Sequence, residues 1–263
     1  MIQEDNSLLA FERQRRIQQM LEREGVVRTA ELKQILQVSA VTIRADLREL
    51  ESAGICQMIW GGAVYIKPLV NKDTTTLAER SILNPEAKRR IGMRAAQLLE
   101  VGQTVILDAG TTTIELIRSL SHELDYLRVV TPALNVAAAA TQFPQVELVV
   151  TGGILRNLTH ALIGPQVIES LNRFNADWAF IASGGYSPEH GVTTGNILEV
   201  EVKQTIIKRA ARVVLLADST KCGTVLSLNV APMSDIDMLI SDTDLSDEYV
   251  EAFTQQGVEV IRV

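Results

Sequence analysis

The chain predicts an α/β protein in two parts: an N-terminal winged helix-turn-helix, then a larger Rossmann-like unit on a mostly parallel sheet. Three observations carry that prediction. Short amphipathic helices ending at Gly25 and Gly54 precede two strand-like runs joined by Gly61-Gly62. Beyond residue 84, almost wholly apolar runs of strand length alternate with helical patterns, as in a parallel sheet buried on both faces. Hydrophobic residues make up 46% of the chain and aromatics only 4%, so there is enough apolar material for two cores, packed mainly with aliphatic side chains.

The first predicted helix runs from about Phe11 to Glu24, with Ile17, Met20 and Leu21 on one face and Gly25 as its stop. Thr29 is placed to cap a short helix through Ala30, Leu32, Ile35 and Leu36. After the turn Gln37-Val38-Ser39, Ser39 caps a third helix in which Val41, Ile43, Leu47 and Leu50 are the expected apolar contacts. Thr42, Arg44, Arg48 and Glu49 stay polar, and Thr42 and Arg44 lie early in the helix, where a recognition helix meets base edges. The helix-turn-helix motif spans about 27–46. Runs Ile55–Trp60 and Ala63–Ile66 form the wing, with Trp60 read as a packing residue. These assignments give a DNA-binding domain over 10–66, a linker over 67–83, and a second domain over 84–263.

Charge permits this reading without demanding it. The whole chain carries a formal −7, but residues 1–66 hold 8 Lys/Arg against 9 Asp/Glu, close to neutral. No signal-peptide run opens the chain and no stretch reaches the apolar length of a membrane span, so a cytoplasmic protein is expected. Cys56 and Cys222 are too few for a disulfide framework. His122, His160 and His190 are scattered without ligand spacing, so no metal site is expected.

Residues 16–63 resemble the DeoR family of bacterial transcription regulators. The resemblance rests on Arg16-Ile17, Gly25, Glu31-Leu32, Val38-Ser39, Thr42-Ile43-Arg44, Asp46-Leu47, Leu50-Glu51, Gly54 and Gly61-Gly62-Ala63. It implies binding to a double-stranded DNA operator through Thr29, Ser39, Ala40, Thr42, Arg44, Arg48, Gly61 and Gly62. The chain departs from the family pattern at Ala45, where a second Arg is usual, and at Gln57 and Trp60, where the wing usually has Arg and His. Each lost cation removes a possible phosphate contact.

The linker contains Pro68 and some structure around Leu77–Arg80; Asn84-Pro85-Glu86 then signals a capped helix running to Leu98. The loops after the predicted strands share a chemistry. They read Asp108-Ala109-Gly110-Thr111-Thr112-Thr113, Thr131-Pro132, Thr151-Gly152-Gly153, Ser183-Gly184-Gly185 and Asp218-Ser219-Thr220-Lys221. In an open parallel sheet they gather along one rim, at the carboxyl ends of the strands, where ligands bind. Gly110–Thr113 precedes a helix and suits an anion, with Lys221 as a point charge. The loop is neither a P-loop nor a dinucleotide fingerprint, so no nucleotide cofactor is expected. Arg156 and His160 are within reach of the same rim. Glu199 and Lys203, four apart on a helix, suit an exposed ion pair.

This rim resembles the effector domain of the same family, itself similar in fold to ribose-5-phosphate isomerase, through Asp108-x-Gly110-Thr111-Thr112, Gly152-Gly153, Gly164, Gly191, Glu199-x-x-x-Lys203 and Asp218-x-x-Lys221. Thr131-Pro132 and Lys221-Cys222 stand where the family usually has Thr-Asn and Lys-Phe. The resemblance implies a repressor of carbohydrate utilisation, a homo-oligomer, relieved by a phosphorylated sugar. Asp108, Gly110, Thr111, Thr112, Thr113, Thr131, Gly152, Gly153, Glu199, Lys203, Asp218 and Lys221 are the expected effector residues. The alternatives are a sugar-phosphate isomerase-like enzyme with a DNA-binding appendage, in which Glu199, Lys203, Asp218 and Lys221 would do acid–base work, and a ligand-independent architectural or interaction protein.

Overall fold

The computed structural model describes residues 10–52, 55–59, 61–65, 75–121 and 123–263. The chain divides into two compact units, with the boundary between residues 71 and 72.

The smaller unit runs α1 (Ala10–Glu24), β1 (Val26–Arg28), α2 (Thr29–Leu36), α3 (Ala40–Ser52), β2 (Cys56–Ile59) and β3 (Gly62–Tyr65). Ile17 and Leu21 from α1, Leu32 and Leu36 from α2, and Ile43, Leu47 and Leu50 from α3 are buried together over the sheet. Each such side chain contributes about 1.5–3 kcal/mol on leaving water. Two features differ from the sequence expectation. β1 is a third strand, pairing antiparallel with β3, so the wing has the order β1-β3-β2. A Cβ on Gly62 would lie 2.0 Å from the Val27 carbonyl oxygen, so this close approach requires glycine. Thr29 is the first residue of α2 and buried; the cap position belongs to Arg28, which provides no side-chain hydrogen bond. Thr29 instead donates its backbone N–H to the Gly61 carbonyl at 2.9 Å, tying α2 to the wing turn. Gly54, Trp60, Ile66, Pro68 and His122 fall outside the described residues.

The larger unit opens with α4 (Leu77–Ser81), α5 (Pro85–Ala96), β4 (Thr104–Leu107), α6 (Thr113–Arg118), β5 (Leu127–Thr131), α7 (Leu134–Ala140) and β6 (Val146–Val150). A hairpin, β7 (Ile154–Arg156) and β8 (Ala161–Ile163), leads to α8 (Pro165–Leu171) and β9 (Ala176–Ala182). Then follow β10 (Gly185–Ser187), β11 (Gly191–Thr194), α9 (Ile197–Lys208), β12 (Ala210–Leu216), β13 (Leu228–Ala231), β14 (Met238–Ser241), α10 (Asp247–Gln255) and β15 (Glu259–Arg262). Seven strands form one parallel sheet in the order β15-β14-β12-β9-β4-β5-β6. Successive residues feed opposite faces, as the pleat requires: Ile106, Ile181 and Leu215 enter one apolar layer, Val105, Leu107, Phe180, Val214 and Leu216 the other.

The chain builds β4, β5 and β6 outward in one direction, then crosses to β9 and continues the other way through β12, β14 and β15. The direction of winding therefore reverses between β4 and β9. Loops leaving those two strands diverge there and open a crevice. Asn84 is not a side-chain cap: it has φ 47°, and its amide donates to Asp218 Oδ1 at 3.1 Å and Thr220 Oγ1 at 3.3 Å. The short antiparallel pieces β7–β8 and β10-β11-β13 were not expected from the sequence pattern.

Candidate functional site

In the smaller unit, α3 has two distinct faces. Ile43, Asp46, Leu47 and Leu50 are buried, a spacing of three and four residues that turns one stripe inward. Asp46 is held by Arg13 of α1 through two bonds, Nε to Oδ2 at 2.6 Å and Nη2 to Oδ1 at 3.0 Å. Gln14 reaches both Asp46 and Glu49 from the same helix, so Glu49 is engaged within the unit. Ser39 caps as expected, its Oγ accepting the Thr42 N–H at 3.1 Å and lying 2.9 Å from the Thr42 hydroxyl. The outward stripe is Val41, Arg44, Ala45 and Arg48, all exposed. Val41 was expected inside; it is 73% exposed, because positions 43, 46, 47 and 50 already fill the inward face.

In the larger unit, the β4/β9 crevice holds a polar cleft of about 50 Å³. One water needs only about 10–15 Å³ of such space, so this cleft takes a group the size of a phosphate. Gly110, Thr111 and Thr112 line one side, Ser183 and Gly184 another, with Thr159, Thr194 and Glu199 beside them. Its cations are Arg80, Lys203 and Lys221. A Cβ on Gly110 would lie 2.6 Å from the Ala182 Cβ, so the two loops meet at their closest where only glycine fits.

The floor of the cleft is an ion pair. Asp108, at the end of β4, accepts the Lys203 ammonium and the Ala182 N–H, the latter at 3.0 Å, and Lys203 also donates to the Ala182 carbonyl at 2.8 Å. Thus α9 clamps β4 to β9 at the point where the sheet reverses. Burial pushes the Asp108 carboxyl above its ordinary range, against the pull of Lys203 and of the Ala182 N–H. Burial would likewise raise Asp218, but Lys221, the Thr220 hydroxyl, the Asn84 amide and Lys88 together hold it below the usual carboxylate value. Lys221, 3.7 Å from Asp218, is depressed by burial and by Arg80 and Lys203, with Asp218 opposing.

Glu199 and Lys203 do not pair with each other. Glu199 accepts from Arg156 at 2.9 Å and from Thr159 at 3.1 Å, while Lys203 turns to Asp108. A carboxylate so committed lines the cleft as a fixed acceptor.

The structure brings Gly110, Thr111, Thr112, Glu199, Lys203 and Lys221 to the cleft wall, with Asp108 and Asp218 directly behind. Four of the expected residues do other work. Thr131 is fully buried and donates its hydroxyl to Leu107 O at 2.7 Å; Thr113, also fully buried, donates to Gly110 O at 3.1 Å. Gly152 and Gly153, with φ 72° and 113°, turn the chain from β6 into the β7–β8 hairpin and do not line the cleft. Sequence reasoning missed Arg80 and Thr194. The hint of structure around Leu77–Arg80 was the only signal for the first, and the second lies on the unexpected strand β11.

Thr112 Oγ1 is buried and has no hydrogen-bond partner, although its residue lines the cleft. Asn135 donates to Gly110 O at 3.1 Å, while its Oδ1 has no partner; the residue lines a neighbouring cleft of about 760 Å³ that shares Thr111 and includes His160. Among the described residues no group of three or more His, Cys, Asp or Glu is placed to hold a metal, and no helix is long and apolar enough to cross a membrane.

A winged helix joined to an α/β unit with a small polar crevice has the build of a ligand-responsive transcriptional regulator. Comparison with known proteins makes that particular. A family model described as the DeoR-like helix-turn-helix domain matches residues 13–68, and one described as the DeoR C terminal sensor domain matches 83–243. The HTH-type transcriptional regulator GolR of Listeria innocua is 34% identical over 253 residues, 96% of this chain and 98% of that protein. The putative aga operon transcriptional repressor of Escherichia coli O157:H7 is 33% identical over 96% of this chain and 93% of its own length. Among solved structures, ribose 5-phosphate isomerase A of Methanocaldococcus jannaschii aligns over 53% of this chain and 55% of its own, at 18% identity and a TM-score of 0.40. The chain belongs to the DeoR family. It is a DNA-binding transcriptional regulator and not an enzyme.

Proposed function

We propose that this chain is a cytoplasmic repressor of a carbohydrate-utilisation operon, relieved when a phosphorylated sugar occupies the β4/β9 cleft. The observation that carries the effector half is a phosphate-sized cleft walled by Arg80, Lys203 and Lys221, one of whose lining residues, Thr112, has a buried hydroxyl without a partner. A buried polar atom without a partner is costly, and an anionic oxygen would supply the missing acceptor. The larger neighbouring cleft, reached across Thr111, has room for the rest of a sugar. On the DNA side, Arg44 and Arg48 on the outward stripe of α3 would take guanine edges or phosphates, Thr42 base edges, and Val41 a thymine methyl. Ser39, Ala40 and Thr29 hold the ends of the helices, and Gly61 and Gly62 shape the wing. Symmetric operators pair with two-fold proteins, so a homo-oligomer is part of this reading. No nucleotide cofactor is required.

A ligand that binds only the native state must raise its apparent stability. Thermal unfolding is therefore followed with a panel of phosphosugars and their unphosphorylated parents, beside gel shifts on the DNA upstream of the protein's own coding sequence. The reading expects at least one phosphosugar, and not its parent sugar, to raise the midpoint and weaken the shifted complex. No midpoint change with any phosphosugar contradicts it.

A further inference from the structure

Arg80 reaches the cleft from an unexpected direction. It sits on α4, the first described element of the larger unit, whereas the rest of the wall comes from sheet loops, the β7–β8 turn and α9. α4 is only five residues long and buries none of them. Its N-terminus closes on itself: Thr76 Oγ1 accepts the Glu79 N–H at 3.2 Å and the Glu79 carboxylate accepts the Thr76 N–H at 2.7 Å. Backbone and ammonium ties hold it to the rest of the larger unit. Leu77 donates its N–H to Leu158 O at 2.8 Å, and the Lys88 ammonium, on a side chain that is itself buried, takes the carbonyls of Arg80 and Leu83. A short segment with no fully buried side chain is drawn from the low-stability end of a structure.

Charge points the same way. Arg80, Lys88, Arg156, Lys203 and Lys221 cluster with Asp108, Glu115, Glu199 and Asp218, five cations with four carboxylates. A phosphate monoester, an anion at neutral pH, is drawn to that excess of cations.

We infer that Arg80 of α4 is an anion-binding residue that closes over the ligand's phosphate together with Lys221 and Thr112, so that occupancy of the cleft fixes α4 against the rest of the larger unit. The inference rests on the proposed phosphosugar reading and adds the route by which occupancy is reported. α4 is the first described element of the larger unit in chain order, so occupancy acts at the end of that unit nearest the DNA-binding unit in sequence.

The test uses the full chain, with inorganic phosphate and the phosphosugar panel as probes and chloride at matched ionic strength as the control. Wild type, Arg80→Met and Arg80→Lys are compared by thermal unfolding and by hydrogen exchange over residues 75–84; Lys221→Met is the reference variant. Each variant's ligand-free midpoint is its own baseline, so the readout is the shift that ligand adds. The expected result is that ligand slows exchange over 75–84 in wild type. Arg80→Met should bind about tenfold more weakly and lose that protection, and Arg80→Lys should recover part of both. If Arg80→Met keeps full affinity and full protection while Lys221→Met loses binding, the role of Arg80 is overturned and the effector reading stands. If neither phosphate nor any phosphosugar stabilises wild type, both fall together.

Discussion

The two units hold their working elements with one device and use it differently. Asp46 on α3 and Asp108 at the end of β4 are both buried carboxylates met by a cation from a helix far away in sequence, Arg13 and Lys203 respectively. In the smaller unit that pair faces inward, and the candidate DNA contacts Val41, Arg44 and Arg48 occupy a separate face of the helix. In the larger unit the pair is the floor of the cleft, and Lys203 is at once brace and wall. Contact and support can be removed independently in the first unit and not in the second. The fold of the smaller unit therefore tolerates change on the outward face of α3, whereas the cleft cannot be altered at Lys203 without altering the sheet that carries it.

The largest expected effect tests the sensor side. Asp108→Ala leaves a buried ammonium without its counter-charge and unties β4 from β9, costing the larger unit about 3–5 kcal/mol. A calorimetric transition lowered by less than about 1 kcal/mol would show that the clamp is not what joins the strands. Asp46→Ala is the matching experiment in the smaller unit. Arg13 keeps some access to water there, with 11% of its side chain exposed, so the cost is about 2–3 kcal/mol. Its contrast is Arg44→Ala, for which both unfolding midpoints should stay in place while specific DNA affinity falls by about 1–3 kcal/mol. Loss of stability with Arg44→Ala would break the separation of contact from support.

The smallest effect concerns protons. Burial, Lys221 and Arg80 lower the Lys88 ammonium to about 8, with Asp218 and Glu115 opposing. Near pH 8 it is thus partly deprotonated in the free protein, while a phosphate monoester, with its second pKa about 6, is already a dianion. A dianion in the cleft raises the pKa of nearby lysines, so binding at pH 8 takes protons up. Calorimetric titration in buffers of different ionisation enthalpy should show an uptake of a fraction of a proton, reduced in Lys88→Met. Proton release instead would put the anion elsewhere.

Much of this fold was legible because its large elements declare themselves by apolar spacing. Ile43, Leu47 and Leu50 mark the inward face of α3, and the apolar runs before Asp108, Ser183 and Asp218 mark strands that are buried on both sides. The misses share a physical cause. β1, β7, β10 and β11 are three or four residues long and exist through pairing with distant partners, which leaves no local period to read. In the site, residue type located the loops but not the hydroxyls that would be left over. Thr112 and Thr131 look alike in sequence; one ends without a partner and the other satisfies the Leu107 carbonyl. Helical spacing joined Glu199 to Lys203, yet each found a better partner across the fold in Arg156 and Asp108. Arg80 was hidden because it comes from a stretch whose composition reads as linker.

The central claim is that the cleft governs the helix. It is tested most directly by titrating operator DNA with wild-type protein in the absence and presence of a saturating phosphosugar, one already shown to raise the sensor unit's unfolding midpoint. A ligand that favours one state can shift DNA affinity only through a differential affinity for the two states. The expected result is a clear fall in DNA affinity, about fivefold or more, which Arg80→Met shifts to higher ligand concentration. Unchanged DNA affinity at a ligand concentration that fully stabilises the sensor unit would contradict it.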